Sequence, residues 1–249
     1  MAKQDREDAS SARKISFVIP AHNEEAELPK TLQSIHLAAS NAKCDYEIIL
    51  VDDGSTDATA FIGKKFGSLV ISIDRRQIAA ARNAGARAAR GDIFVFVDAD
   101  THITSEHVRS VMGALDSGCV GGGCRLQLDD KIPLWGKILF NAFARVYFAF
   151  QLGAGAFLFA TRPAFFAAGG FDETYFAGEE VLFTFALKKL GHFKILPEPA
   201  ITSGRKLRLY SGRKILQAAL TLMLAGQRAM RSRAKLDLWY GGKRERSLR

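Results

Sequence analysis

Ile93-Phe94-Val95-Phe96-Val97-Asp98-Ala99-Asp100 holds five consecutive large apolar residues followed by two carboxylates. A run with no polar face fits a strand covered on both sides, as at the centre of a parallel sheet with helices above and below. Open α/β sheets bind ligands beyond the carboxyl ends of their strands. Two acids placed there can hold a divalent cation against a phosphorylated ligand. Asp-x-Asp is also a common way to solvate a loop, so the flanking chain has to separate the two.

Upstream, residues 15–20, 46–51 and 69–73 form three further apolar runs, each predicted to be a strand. Leu28, Leu32, Ile35 and Ala39 recur at helical spacing after the first. Gly54-Ser55-Thr56-Asp57 turns after the second and caps a helix reaching about Phe66. The alanine-rich segment 78–90 is a strong helix former after the third. Strand and helix alternate four times, which predicts a parallel, right-handed α/β sheet. The polar clusters after the first, second and fourth strands then share one rim.

Downstream the alternation loosens. Residues 105–115 are expected to be a helix with a serine cap, 120–128 a strand entered through a flexible Gly121-Gly122-Gly123, and 156–161 another strand. Arg162-Pro163 opens a short helix that Gly169-Gly170 closes. A helix over 181–190, a last strand over 193–196 and a long helix over much of 215–233 complete the pattern. The aromatic helix 135–150 either packs on the sheet or forms a greasy acceptor wall, and core packing is the expectation.

Composition narrows the class. With 48% hydrophobic residues among 249, the chain can bury a sizeable core. The most apolar region, 132–160, is interrupted by Lys137, Asn141, Arg145 and Gln151, so no spanning helix is expected. Cys44, Cys119 and Cys124 are too few and scattered for a disulfide framework or a zinc site; buried thiols in a reducing compartment are expected. Residues 1–13 are polar and charged, a frayed lead-in and not a signal peptide. The net charge of +9 belongs to the tail: residues 204–249 carry 13 Lys or Arg against two acids, and the remainder 22 against 24. No nucleic-acid motif accompanies that charge, so nucleic acid is not an expected partner. A basic tail with Ile215, Leu216, Leu220, Leu222 and Leu224 can lie on anionic lipid or pack on the body. A cytoplasmic protein, peripheral at the membrane through that tail, is the resulting expectation.

Five pieces, in order, resemble family 2 glycosyltransferases of the GT-A fold. They are Val18-Ile19-Pro20-Ala21-His22-Asn23-Glu24-Glu25, Val51-Asp52-Asp53-Gly54-Ser55-Thr56-Asp57, Ala81-Arg82-Asn83-Ala84-Gly85, Val97-Asp98-Ala99-Asp100, and Gly169-Gly170-Phe171-Asp172-Glu173 leading into Gly178-Glu179-Glu180. The resemblance covers about 14–205. It implies a mostly parallel sheet flanked by helices, with a Rossmann-like nucleotide-binding half (14–104), an acceptor half (105–205) and a basic helical tail (206–249). It also implies a nucleotide-diphosphate sugar donor, Mg²⁺ or Mn²⁺ as cofactor, and a hydroxyl acceptor, lipid-linked acceptors included.

By the same resemblance, Asp52 reads the base with Asp53 close by, and Pro20, Ala21, Asn23 and Glu24 line the nucleoside pocket. Asp98 and Asp100 hold the metal on the donor diphosphate, with Arg82 a phosphate ligand or a residue on a solvated helix face. The acidic pair Glu179-Glu180 supplies the base, Glu180 standing where relatives usually carry Asp. The Gln-x-x-Arg-Trp motif of processive members is absent, which points to transfer of a single sugar. After the last strand, Arg205 or Lys206 is expected to close over the diphosphate. Asn83 is expected to order a loop, Asp172 and Glu173 to cap or to line the acceptor side, and His22, His102 and His192 to be structural.

The chemistry agrees with these residue types. A diphosphate leaving group needs its charge neutralised, as a carboxylate-bound cation does, and the attacking hydroxyl needs a carboxylate to take its proton. In-line attack inverts the anomeric centre. A nucleotidyltransferase is disfavoured because the first loop is Ala-His-Asn-Glu-Glu and not Gly-rich, and a dinucleotide oxidoreductase lacks the same glycines. A catalytically weak sugar-nucleotide-binding relative, hinted at by Glu180, and a membrane-binding module remain as alternatives.

Overall fold

The computed structural model describes residues 13–129, 132–214, 217, 230–233 and 236, without the side chain of Lys206. The expected tail helix over 215–233 therefore lies almost wholly outside the described residues.

An eight-stranded sheet carries the fold. Its parallel side is built from β1 (Ile15–Ala21), β2 (Tyr46–Asp53), β3 (Leu69–Ile73) and β4 (Ile93–Val97) in the order β3-β2-β1-β4. Helices α1 (Leu28–Ala42), α2 (Thr59–Lys65) and α3 (Ile78–Ala88) make the crossovers. All five residues of β4 are buried. Because side chains alternate along a strand, Ile93, Val95 and Val97 pack with Leu32 and Ile35 of α1, while Phe94 and Phe96 pack on the opposite face with Ala79 and Ala81 of α3.

Beyond β4 the sheet continues through β7 (Phe157–Thr161), β6 (Cys119–Leu128), β8 (His192–Thr202) and the two-residue β5 (Thr101–His102). β7 runs antiparallel to both neighbours, with Ile93 opposite Thr161 and Val97 opposite Phe157. The Gly121-Gly122-Gly123 run is not a flexible entry. It lies inside β6, where a Cβ on Gly122 would fall 2.2 Å from the Lys194 carbonyl and 2.5 Å from the Phe159 ring. Close packing between β7 and β8 leaves no room for a side chain there.

Three further expectations are corrected. Helix α4 (Ser105–Asp116) is capped by Thr104, in a reciprocal box with His107, and not by a serine. Helix α7 (Glu179–Leu190) starts two residues early, because Gly178 at φ 76° lets the chain turn directly into it and puts both acids in its first turn. Helix α5 (Leu134–Ala149) does not pack into the core: Gly136 is its only buried residue, and Ile138 and Phe143 are 63% and 60% exposed. Among the described residues no helix is long and apolar enough to cross a membrane. The three cysteines are unpaired, and burial pushes the Cys124 thiol up to about 12.

Part of the tail packs on the body. The Phe176 N–H donates to the Met230 carbonyl at 2.8 Å, Arg231 donates to the Tyr175 hydroxyl at 3.0 Å, and Leu236 is buried.

Candidate active site

The parallel strands deliver their carboxyl ends to one rim, and side chains stitch the loops there together. Pro20 and Ala21 close β1 as buried residues opposite Val51 and Asp52. Asn23, held at φ 53°, gives its N–H to Ser55 Oγ at 2.9 Å and accepts the Thr56 N–H at 2.8 Å. Asp52 accepts the Ser55 N–H at 3.1 Å, closing the turn after β2. Asp53 is nearly buried and accepts the backbone N–H groups of Arg75, Arg76 and Gln77 at 2.7, 2.8 and 2.7 Å. It therefore anchors the β3–α3 loop. Asp53→Asn, which turns an acceptor toward a donor, is expected to lower unfolding free energy by about 2 kcal/mol, read from the urea midpoint at unchanged slope.

Arg82 is the centre of the rim. It leaves α3 fully inward, 1% exposed, which removes the solvated helix face from its two alternatives. Its Nη1 donates to Glu179 Oε1 at 2.8 Å, and its Nη2 donates to Asp98 Oδ1 at 3.0 Å and to the Gly155 carbonyl at 2.9 Å. Gly155 is required for that approach, since a Cβ would sit 2.6 Å from Nη2. The Phe171 ring covers the guanidinium at 5.2 Å. Burial opposes its charge, but Asp98, Glu179 and Glu180 more than offset that and raise its pKa. One side chain thus ties the end of β4 to the head of α7.

Glu179 is buried on this arginine, and its Oε2 has no hydrogen-bond partner among the described residues. Glu180, half-buried beside it, has its carboxyl pushed up to about 8: burial is the main cause, Glu179 adds, and Arg82 opposes. Tyr147 of α5 donates to the Gly153 carbonyl at 2.9 Å, and its hydroxyl is raised by burial and by the two glutamates. No sequence signal singled out Tyr147, which lay in an expected core helix.

The second acid has its own arginine. Arg205, at the start of α8 (Arg205–Leu209), forks onto Glu24 with both contacts at 2.9 Å and reaches Asp100 Oδ2 at 3.5 Å. This bidentate geometry is the strong form of an Arg–carboxylate pair. It closes the chain after β8 across the β1 loop. Asp98, with Arg82 on its Oδ1, and Asp100, with Arg205 near its Oδ2, thus face the same rim. Among the described residues no third His, Cys, Asp or Glu joins them as a metal cluster. Two hard carboxylates suit Mg²⁺ or Mn²⁺ completing its shell with phosphate and water, and do not suit an all-protein cage.

The remaining residues serve the scaffold. Asn83 donates to the Phe171 carbonyl at 2.8 Å and accepts the Phe171 N–H at 2.9 Å, as expected of a loop-ordering residue. Asp172 caps Thr174 at 2.9 Å, and Glu173 accepts from Asn83 at 3.0 Å. Among the histidines, His22 accepts from Arg76 at 2.6 Å, burial lowers His102, and His192 is exposed at the start of β8.

Comparison with known proteins fits this architecture. The glycosyl transferase family 2 model matches residues 16–172, a span that ends before Glu179-Glu180. The undecaprenyl-phosphate 4-deoxy-4-formamido-L-arabinose transferase of Pseudomonas fluorescens is 36% identical over 111 residues, 42% of this chain and 33% of that protein. The 4,4'-diaponeurosporenoate glycosyltransferase of Staphylococcus haemolyticus is 32% identical over 109 residues, 41% of this chain and 28% of that protein. The matched part thus spans about a third of the length of these curated relatives.

Among solved structures, the Pyrobaculum calidifontis mannosyltransferase in complex with GDP-Man and Mn²⁺ superposes with a TM-score of 0.62 at 18% identity, over 88% of this chain and 62% of that one. The Mycobacterium tuberculosis glucosyl-3-phosphoglycerate synthase in complex with Mn²⁺, UDP and phosphoglyceric acid gives 0.57 at 22% identity, over 87% and 80%. These likenesses carry the GT-A fold. With the family model spanning more than half of the residues, the chain belongs to glycosyl transferase family 2.

Proposed function

We propose that the chain transfers a single sugar from a nucleotide-diphosphate donor to an acceptor hydroxyl, with inversion at the anomeric carbon. The observation that carries this is the Arg82 bridge, which sets Asp98 and Glu179 on one guanidinium and so brings the end of β4 beside the acidic pair of α7. In this reading Asp52 and the loop of Pro20, Ala21, Asn23 and Glu24 receive the nucleoside, and Asp53 holds that pocket's wall. Asp98 and Asp100 hold Mg²⁺ or Mn²⁺, which when bound neutralises the diphosphate as it leaves. Glu180 takes the acceptor's proton as the hydroxyl oxygen bonds to the anomeric carbon and the bond to the diphosphate breaks. Arg205 orders Glu24 and Asp100 and stands ready to contact the diphosphate from the post-β8 segment, Lys206 beside it in sequence.

The relatives' names carry undecaprenyl-phosphate and 4,4'-diaponeurosporenoate, each a long apolar molecule with an anionic end. They favour an acceptor with an apolar tail; an anionic end would attack without giving up a proton, so the base role of Glu180 applies to a hydroxyl on such a tail. A membrane-peripheral place through the basic tail fits the same acceptor class.

A panel of nucleotide diphosphates and their sugars, read by thermal shift with and without Mn²⁺, tests the donor reading. One nucleotide is expected to raise the melting temperature only with the metal present, since a ligand bound to the folded state alone stabilises it. Asp98→Asn and Asp100→Asn are each expected to remove that metal-dependent increment. A shift equal with and without metal in the wild type would sink the metal assignment.

A further inference from the structure

We propose that α5 is a membrane-docking helix whose outward face enters the interface of an anionic lipid bilayer. Its sequence, Leu134 to Ala149, has three polar or charged side chains other than Tyr147: Lys137, Asn141 and Arg145. They stand four residues apart and form one narrow stripe along the helix. Gly136, Phe140, Ala144 and Tyr147 turn inward, with Gly136 seated against Leu207 of α8. What remains is an outward face of Leu134, Ile138, Leu139, Phe143, Val146 and the following Phe150, all exposed.

A helix apolar on nearly every side is a buried or membrane-associated helix, and continuous exposed apolar faces mark interaction sites. Charge selects the occupant. No Asp or Glu occurs anywhere from 132 to 151. Beside the stripe, a recess of about 340 Å³ is lined by Arg125, Lys137, Asn141 and Phe140 among others, and its charged side chains are both cationic. At the other end of the helix Lys188 donates to the Phe150 carbonyl at 3.1 Å. The helix's own charged side chains are both cations, and an apolar face beside them complements an apolar slab with an anionic surface, the arrangement of interfacial helices. A second copy meeting it helix on helix across a two-fold axis would set these cations near their own kind.

The site gains from this placement. Tyr147 joins the inner side of the same helix to α7: its hydroxyl donates to the Gly153 carbonyl, the Gly153 N–H donates to Thr184 Oγ1 at 3.2 Å, and that hydroxyl donates to the Glu180 carbonyl at 2.8 Å. Docking on α5 therefore brings the acidic pair to the lipid surface, where an acceptor with an apolar tail presents its polar end. This last step rests on the transfer reaction proposed above, whereas the docking itself does not.

Full-length protein is sedimented with vesicles of phosphatidylcholine, and of phosphatidylcholine mixed with phosphatidylglycerol, at low and high salt. Wild type is expected to bind the mixed vesicles and to keep part of that binding at high salt, because apolar insertion survives screening and charge-only attachment does not. Ile138→Asp with Phe143→Asp is expected to lower the partition coefficient about tenfold or more and to leave no binding at high salt. Both residues are exposed, so the melting temperature should be unchanged. Ile138→Asn with Phe143→Asn repeats the measurement should the aspartates disturb folding.

The proposal is overturned if wild type ignores the mixed vesicles, or if the variants bind them as wild type does, which would assign attachment to the tail. It is equally overturned if light scattering finds a dimer that the variants dissociate while vesicles stay unbound. Vesicle binding without any nucleotide-dependent thermal shift would keep the docking helix and remove the transfer reading.

Discussion

Glu180→Gln is expected to lower turnover by about 10²–10⁴-fold while leaving the nucleotide-diphosphate thermal shift intact. The amide keeps the shape of the side chain and loses its capacity to take a proton. A drop in the thermal shift to match the loss of turnover would make Glu180 a binding residue. The pH profile carries the same assignment. Burial and Glu179 raise the Glu180 carboxyl to about 8, so kcat/KM is expected to fall tenfold per pH unit as the medium becomes more acidic than that value.

Folding answers pH in the opposite sense. A carboxyl whose folded pKa exceeds its unfolded one binds its proton more tightly in the native state, so its contribution favours folding at low pH. That contribution is lost as pH rises from about 4.5 through about 8. The melting temperature of Glu180→Gln is therefore expected to decline less over this window than that of wild type. Parallel curves would show that the carboxyl is not raised.

Arg82→Met is expected to cost about 3–5 kcal/mol of stability, the typical result of removing one partner from a buried ion pair. Two carboxylates lose their shared cation at once. Asp98 keeps some contact with solvent, but Glu179 does not, and its Oε2 has no hydrogen-bond partner among the described residues even with Arg82 in place. Combining Arg82→Met with Glu179→Gln is expected to recover part of the loss, because the double variant buries no unpaired charge. A double variant no more stable than Arg82→Met alone would show that the pair contributes through packing and not through charge. Urea unfolding of the four proteins closes the cycle.

The parallel half of the fold was legible because its signals are local. Continuous apolar runs at β1, β2 and β4, with helical spacing between them, leave one arrangement that buries both faces. β7 carried no such direction: Phe157 to Ala160 is apolar whichever way it runs, and only its partners make it antiparallel. The acidic pair and the Asp-x-Asp element were legible as residue types, yet their coupling was not. An arginine in an alanine-rich helix looks solvated until the fold turns its side chain under the sheet rim, as it does for Arg82. The same limit applies to Asp53, whose place in an acidic doublet says nothing of the three N–H groups it collects. α5 failed for the reverse reason. Apolar composition predicts burial only if something covers the helix, and among the described residues little does.

The antiparallel seat of β7 also sets an order of assembly. β1, β2 and β3 can pair as each crossover is completed, and β4 then returns to the open edge of β1. The free edge of β4, however, waits for Phe157 to Thr161 and is sealed only after α4, β6 and α5 have been made. Until then a wholly apolar strand offers unpaired backbone groups along one side, the situation most prone to wrong pairing. Such distant closure slows folding. A nascent chain halted before residue 157 thus exposes the very strand that ends in Asp98.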